Sequence, residues 1–280
     1  MTISDGRCRA ATFPPRALIV TIYGLCARDT WGWLSVSGLI RLLTELGVDE
    51  PAVRSSISRL KRREILEAQR VRGVAGYALS PQARGLLEEG DHRIFERHQA
   101  ILADGWLLAV FSVPESERRQ RHVLRSRLAL LGFGTVSAGV WVAPAHLEAG
   151  TRDALERQGL TAYIDLFHAD HLAYGEVADH VGTWWDLDGL RTAYDDFVAT
   201  YAPVLAAWKR RRSVDDAQAF SDYVRALTAW RRLSYLDPGL PEEVLPAYWS
   251  GASAAHLFDT LRQRLGDPAT TFAAGVATVR

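Results

Sequence analysis

Cysteine is scarce in this 280-residue chain, where Cys8 and Cys26 are the only two. So few thiols exclude a disulfide framework and a thiolate zinc site, and they fit a reducing, cytoplasmic setting. Lysine is equally scarce: Lys61 and Lys209 are the only lysines among 33 basic residues. Arginine richness is therefore a habit of the whole chain and carries no functional meaning by itself. Net charge is lacking too, since 33 acidic residues balance the 33 basic ones, so only a local imbalance can serve a polyanion. No apolar run reaches the roughly 18 residues of a membrane span. Residues 1–15 have no apolar signal-peptide core and read as a flexible arm.

What is present is apolar substance. Hydrophobic residues make up 48% of the chain, enough for real cores in two or three compact units. Residues 17–28 set Ile19, Ile22, Tyr23 and Cys26 on one helical face, and Asp29-Thr30-Trp31-Gly32 breaks that pattern. Residues 36–46 predict a second helix through Leu39, Leu42, Leu43 and Leu46, closed by Gly47. Asp49 and Pro51 are the cap and first-turn residues of a third helix that runs to about residue 63. Residues 66–71 and 77–80 read as short strands joined by a loop over 72–76. Three helices followed by a hairpin is the order of a winged helix-turn-helix, expected over 16–85, with 86–104 as a linker helix.

The middle of the chain has a different rhythm. Residues 106–113 are a continuous apolar run ended by Pro114, and 115–131 are helical, with Glu115 and Glu117 expected in the first turn, as the helix dipole prefers. Strands over 133–136 and 139–142, a helix over 146–158 and a strand over 160–167 complete a β-α-β-β-α-β order. That is the ferredoxin-like arrangement, placed at 105–171, a fold that hosts many functions. Residues 172–280 read as an aromatic-rich helical domain for effector binding or dimerisation, with its last helix over 253–265 and a frayed tail after Gly266. The expected class is α+β and multidomain.

The third helix carries the sharpest signal. Val53, Ile57 and Leu60 share one face, while Ser55, Ser58, Arg59 and Arg62 share the opposite one, flanked by Arg54, Lys61 and Arg63. A DNA-recognition helix needs that division: a buried side to hold it rigid, and an exposed side with small residues for close approach and arginines for guanine edges or phosphates. Between Glu50 and Ser80 seven basic residues face three acidic ones. Arg70 and Arg72 on the hairpin add reach toward phosphate or the minor groove.

Several stretches along the chain resemble the PaaX family of transcriptional repressors, named for a regulator of phenylacetate degradation. They are Ala17-Leu18-Ile19-Val20-Thr21-Ile22-Tyr23-Gly24, Ser37-Gly38-Leu39-Ile40-Arg41-Leu42-Leu43 and Val53-Arg54-Ser55-Ser56-Ile57-Ser58-Arg59-Leu60. Gly132-Phe133-Gly134, Gly139-Val140-Trp141-Val142-Ala143-Pro144, Leu236-Asp237-Pro238-Gly239-Leu240-Pro241, Val244-Leu245-Pro246 and Leu257-Phe258 continue the likeness. The resemblance implies a winged helix, a Cas2-like ferredoxin domain and a helical C-terminal domain. It also implies a homodimer on a double-stranded operator, released by an aryl-acyl-CoA effector such as phenylacetyl-CoA. No cofactor is implied beyond that ligand.

An acyl-CoA requires cations for its phosphates and an apolar slot for its acyl group. Trp184, Trp185, Arg191, Trp208, Arg225, Trp230 and Arg231 are the expected ligand residues, and buried core tryptophans with solvated arginines are the plainer account of the same residues. Asp165, His168, Asp170, His171, Glu176 and His180 form a local group of potential metal ligands, with solvated loop residues as the plainer reading. Cas2 nucleases place an Asp at the end of the first strand, where this chain has Ser112, which is not a carboxylate ligand for a hard metal. The middle domain is therefore expected to be a non-catalytic dimerisation platform and the protein not an enzyme. A metal-dependent nuclease and a regulator answering another small molecule are the alternatives.

Overall fold

Apolar residues at helical spacing explain how the N-terminal third packs. The computed structural model describes residues 13–26, 32–172 and 174–277. Residues 1–12, with Cys8, and residues 29–31 of the expected break lie outside that range. Helix α1 (Pro15–Cys26) buries Leu18, Ile19, Ile22 and Tyr23. Helix α2 (Val36–Glu45) buries Leu39, Leu42 and Leu43, and the Ser35 hydroxyl caps it by accepting from the Gly38 amide at 3.0 Å. Gly47 stops it as expected, in the left-handed region at φ 75°. Helix α3 (Glu50–Arg62) starts at Asp49, whose carboxylate accepts from the Ala52 amide at 2.7 Å.

A three-residue strand that the sequence reading missed, β1 (Trp33–Ser35), precedes α2 and pairs with β3 (Val74–Leu79), which also pairs with β2 (Leu66–Val71). The sheet order is β1-β3-β2, antiparallel throughout. The expected loop over 72–76 is corrected to a two-residue turn, because Val71 pairs directly with Val74. Arg72 and Gly73 both have positive φ, 48° and 82°, the signature of a tight hairpin turn. Gly76 is required where β1 crosses: a Cβ there would lie 2.4 Å from both the Leu34 carbonyl oxygen and the Trp33 ring.

Helix α4 (Pro81–Phe95) ends earlier than expected, so the 86–104 linker is α-helical only in its first half and ends in a 3-10 turn at Leu102–Asp104. A four-stranded antiparallel sheet follows, built from β4 (Trp106–Phe111), β5 (Gly134–Ser137), β6 (Val140–Pro144) and β7 (Ile164–Ala169), in the order β5-β6-β4-β7. With α5 (Arg118–Leu131) after β4 and α6 (Glu148–Arg157) after β6, this is the ferredoxin-like order. Leu107, Ala109, Phe111, Trp141 and Ala143 form the core with Leu124 and Leu128 of α5 and Leu155 of α6.

One expectation about α5 fails. Glu115 and Glu117 are not in its first turn; they form a separate 3-10 turn, and α5 opens with Arg118, Arg119, Gln120 and Arg121. Each carboxylate is drawn elsewhere, Glu115 to Arg121 at 3.1 Å and Glu117 to the Tyr163 hydroxyl. No side chain caps the helix.

The last segment holds α7 (Val177–Trp184), α8 (Leu187–Arg210), α9 (Asp216–Leu236) and α10 (Gly251–Ala277). The frayed tail expected after Gly266 is corrected, since α10 continues through Pro268 to Ala277. Leu265, Ala269, Ala273 and Ala277 are buried along one side of it, and this helix packs on α1 and α2. Packing of that face outweighs the local cost of one proline.

The compact units do not follow the expected bounds of 16–85, 105–171 and 172–280. The chain forms two compact units, and the helical segment is divided between them. The first unit takes the described residues of Met1–His92 with Asp195–Arg231 and Gly251–Arg280; the second takes Arg93–Tyr194 with Arg232–Ser250. Residues of α8, α9 and α10 thus complete the core of the N-terminal helices.

Candidate nucleic-acid interface

Helix α3 is held from behind. Val53, Ile57 and Leu60 are buried, as expected, together with Ser56. The outward ridge carries Ser55, Ser58, Arg59 and Arg62, all exposed, at the i, i+3, i+4, i+7 spacing of one helix face. Beyond Arg62 the chain leaves the helix with Glu64 at φ 56°, and the Ile65 amide donates to the Leu60 carbonyl at 3.0 Å.

The cations around this ridge are not equivalent. Arg54 is occupied on its own helix, since its Nε and guanidinium nitrogen reach Glu50 Oε1 at 2.7 and 2.6 Å. Lys61 lies over the Tyr77 ring, 5.8 Å from its centroid. Arg70 braces the hairpin tip by donating to the Gly73 carbonyl at 3.0 Å. Arg59, Arg62, Arg63 and Arg72 are exposed and have no side-chain partner among the described residues. The least engaged cations are therefore Arg59 and Arg62 on α3, Arg63 just after it and Arg72 on the hairpin, while Lys61 and Arg70 keep their charge but are held in place.

Helix α9 secures the other helices of this unit. The Arg225 guanidinium donates to the Leu46 carbonyl at 2.7 Å, at the turn between α2 and α3. Arg231 donates to the Thr21 hydroxyl at 2.9 Å, and Thr228 reaches the same oxygen at 2.8 Å. Tyr23 ties α1 to β3 by donating to the Tyr77 carbonyl at 2.9 Å. Burial pushes the Tyr23 phenol well above its ordinary value, so it stays a neutral donor.

The expected ligand residues are divided between the two units. Trp208, Arg225, Trp230 and Arg231 fall in the first unit; Trp184, Trp185 and Arg191 fall in the second. Trp208 is 2% exposed and donates to Asp222 at 2.8 Å. Trp230 is 3% exposed and stacks on Phe258 at 4.8 Å. Arg225 and Arg231 bind the chain itself, and Arg191 pairs with Asp188 of its own helix at 3.2 Å. In the first unit Trp208 and Trp230 are core and Arg225 and Arg231 are structural, whereas in the second Trp184 and Trp185 are half-buried and Arg191 is paired on its own helix.

Trp184 and Trp185 pack beside Trp106. Trp185 donates to the Gly132 carbonyl at 2.9 Å, and Gly134 makes room for its ring, a Cβ there lying 2.6 Å from the indole. This accounts for Gly132-Phe133-Gly134. A cavity of about 340 Å³ in the second unit is lined by Trp185, Asp186, Asp188, Val244 and Pro246 among others, with two carboxylates and no cation. Such a lining does not suit phosphates.

The polar groups of the second unit converge on Asp237. Its carboxylate accepts from Arg97 at 2.8 Å, from the Tyr194 hydroxyl and from the Gly239 amide at 2.8 Å. The His146 ring lies 4.5 Å from that of His98, and its buried Nδ1 has no hydrogen-bond partner among the described residues. Burial, with His98 and Arg93 nearby, pushes His146 down to about 4.

The histidine-rich stretch spreads out. His168 sits on β7 and contacts the Asp104 carbonyl at 2.9 Å, whereas the His171 and His180 rings are 5.3 Å apart. Among the described residues no three of His, Cys, Asp and Glu are grouped as metal ligands. Ser112 is exposed just after β4, its amide donating to the Tyr163 carbonyl at 3.1 Å. Among the described residues no helix is long and apolar enough to cross a membrane.

Three family descriptions cover the chain in sequence. Residues 14–83 match "PaaX-like protein", 100–181 match "PaaX protein central Cas2-like domain", and 185–275 match "PaaX-like protein C-terminal domain". The chain is 26% identical to the transcriptional repressor PaaX of Escherichia coli K12 over 263 residues, which is 91% of this chain and 82% of that protein. An uncharacterized protein of Mycobacterium tuberculosis, Rv0674, has a solved structure that superposes with a TM-score of 0.59 at 23% identity. That match covers 94% of this chain and all of the other, and it shows a shared fold.

Proposed function

Because the chain belongs to the PaaX family, we propose that it is a DNA-binding transcriptional repressor that reads its operator with α3. The exposed ridge of α3 carries this reading: Ser55, Ser58, Arg59 and Arg62 stand opposite a buried Val53-Ile57-Leu60 face. An α-helix with its side chains is about as wide as the major groove. The serines keep the ridge low, and Arg59 and Arg62 supply donors to guanine edges or phosphates. Helices α1, α2 and α3 with the β2–β3 hairpin act as a winged helix-turn-helix, and Arg72 at the hairpin tip reaches phosphate or the minor groove. Arg63, Lys61 and Arg70 add backbone contacts, while Arg54 contributes less because Glu50 holds it.

The repressor acts as a homodimer through the ferredoxin-like sheet. Leu108 pairs with Phe167, and Val110 with Val140, so these residues share the face opposite α5 and α6. Val110 and Phe167 are exposed there, which supports cover by a second copy. The effector is an aryl-acyl-CoA such as phenylacetyl-CoA, a reading that rests on the family. A nuclease is not favoured, given Ser112 and the family.

DNA selected from genomic fragments by the purified chain, then footprinted, tests this function. The expected footprint is two half-sites about 10 bp apart or a multiple of that spacing. Arg59→Ala is expected to cost about 1–3 kcal/mol of specific affinity and to relax sequence preference, with Arg54→Ala costing less. Absence of selected DNA, or unchanged affinity in Arg59→Ala, would overturn the assignment.

A further inference from the structure

The most basic helix of this protein is not α3. Helix α5 carries Arg118, Arg119, Arg121, Arg125 and Arg127 with His122 and no acidic residue, whereas α3 opens with Glu50. Helix α6, on the same sheet, mixes its charges: Glu148, Asp153 and Glu156 against Arg152 and Arg157. The excess on α5 is therefore local and is not explained by the arginine habit of the chain.

Two of these arginines are tied down. Arg121 donates to the Val113 carbonyl at 2.7 Å and meets Glu115 at 3.1 Å, which anchors the start of the helix; Arg127 is partly buried and engaged. The others face water. Arg118 and Arg119 are exposed and have no partner among the described residues. Arg125 is exposed and rests over the Trp141 ring at 5.9 Å, an interaction that holds a guanidinium in place without neutralising it. Arg118, His122 and Arg125 follow one ridge, with Arg119 beside it.

We propose that this ridge of α5 is a second nucleic-acid contact surface, which binds duplex phosphates independently of base sequence. The proposal rests on the DNA-binding reading of α3. Its partner follows from charge complementarity. From Arg118 to Arg125 the ridge spans about 10 Å, over which duplex DNA carries about six phosphates. Guanidinium groups remain charged at all working pH values and pair with phosphate bidentately. Such contacts add affinity and salt dependence but no sequence preference.

The test is binding of the full chain to two probes, a random-sequence 40-bp duplex and a genomically selected duplex, from low to moderate salt. Variants carry Arg118, Arg119 and Arg125 all changed to Gln, or all changed to Lys. In the glutamine variant, the slope of log affinity against log salt is expected to fall by about 0.9 for each phosphate that is no longer neutralised, or about 2 to 3 in total. Affinity should fall by a similar factor on both probes, and the lysine variant should keep most of the slope. Unchanged affinity and slope in the glutamine variant, with Arg59→Ala impaired in the same assay, would overturn the proposal and leave the α3 reading intact. Failure of the unaltered chain to bind either probe would overturn both.

Discussion

Helices α3 and α5 are both basic and both lie against an apolar core, yet they are built by opposite local rules. Helix α3 has a capping Asp49, a proline and Glu50 in its first turn, and Arg59, Lys61 and Arg62 in its last. Every one of these choices favours the helix. Helix α5 has no capping side chain and three arginines in its first turn, where the positive end of the dipole repels them. Its stability comes from Leu124 and Leu128 in the core and from Gly132, which ends it at φ 97°. In α3 the charge proposed to serve DNA also serves folding. In α5 the two are opposed, and opposition of this kind is where sequence is shaped by something other than stability.

The largest expected effect probes the buried side of α3. Ile57→Ala should cost about 2–5 kcal/mol of stability, read by denaturant unfolding, and should lower DNA affinity because the ridge is no longer rigid. A cost under about 1 kcal/mol would mean that α3 is not held as described. Charge reversal then separates the two helices. Arg119→Glu should stabilise the protein by about 0.3–1 kcal/mol, while Arg62→Glu should destabilise it by a similar amount. Thermal unfolding of the pair decides, and shifts of the same sign would break the comparison.

A further effect concerns pH and belongs to the unit that holds α5. His146 is pushed below its ordinary value in the folded chain, so the unfolded chain binds the proton first. The stability that the neutral ring contributes is complete above about pH 6.5 and is lost as pH falls toward 4. His146→Gln should flatten that part of the stability–pH curve, and an unchanged curve would assign the acid sensitivity elsewhere.

Much of the fold is legible in the sequence because the decisive residues act locally. Gly47, Asp49 and Pro51 mark the turn and the start of α3 without help from distant contacts, and the leucines of α2 repeat at helical spacing. Strand β1 was not legible: three residues carry no period, and β1 forms only because β3 offers an edge and Gly76 gives Trp33 room. The end of α10 was hidden for the opposite reason. Gly266 and Pro268 are local stop signals, overruled by the packing of Ala269, Ala273 and Ala277. At the candidate DNA-binding face, the ridge could be read from spacing, whereas the pairing of Arg54 with Glu50 depends on rotamers. The tryptophans were legible as large apolar residues, but their division between two cores follows from how α8 and α9 fold.

The hydrogen bond from Arg225 to the carbonyl of Leu46 has a consequence for how such a repressor is rewired. On the function proposed above, the portable DNA-reading module is not a contiguous stretch of chain. A chimaera that exchanges only residues 16–85 between relatives would leave the turn before α3 against a foreign α9 and would strand the face that α10 covers. For operator preference to travel intact, residues 195–231 and 251–277 have to travel with it.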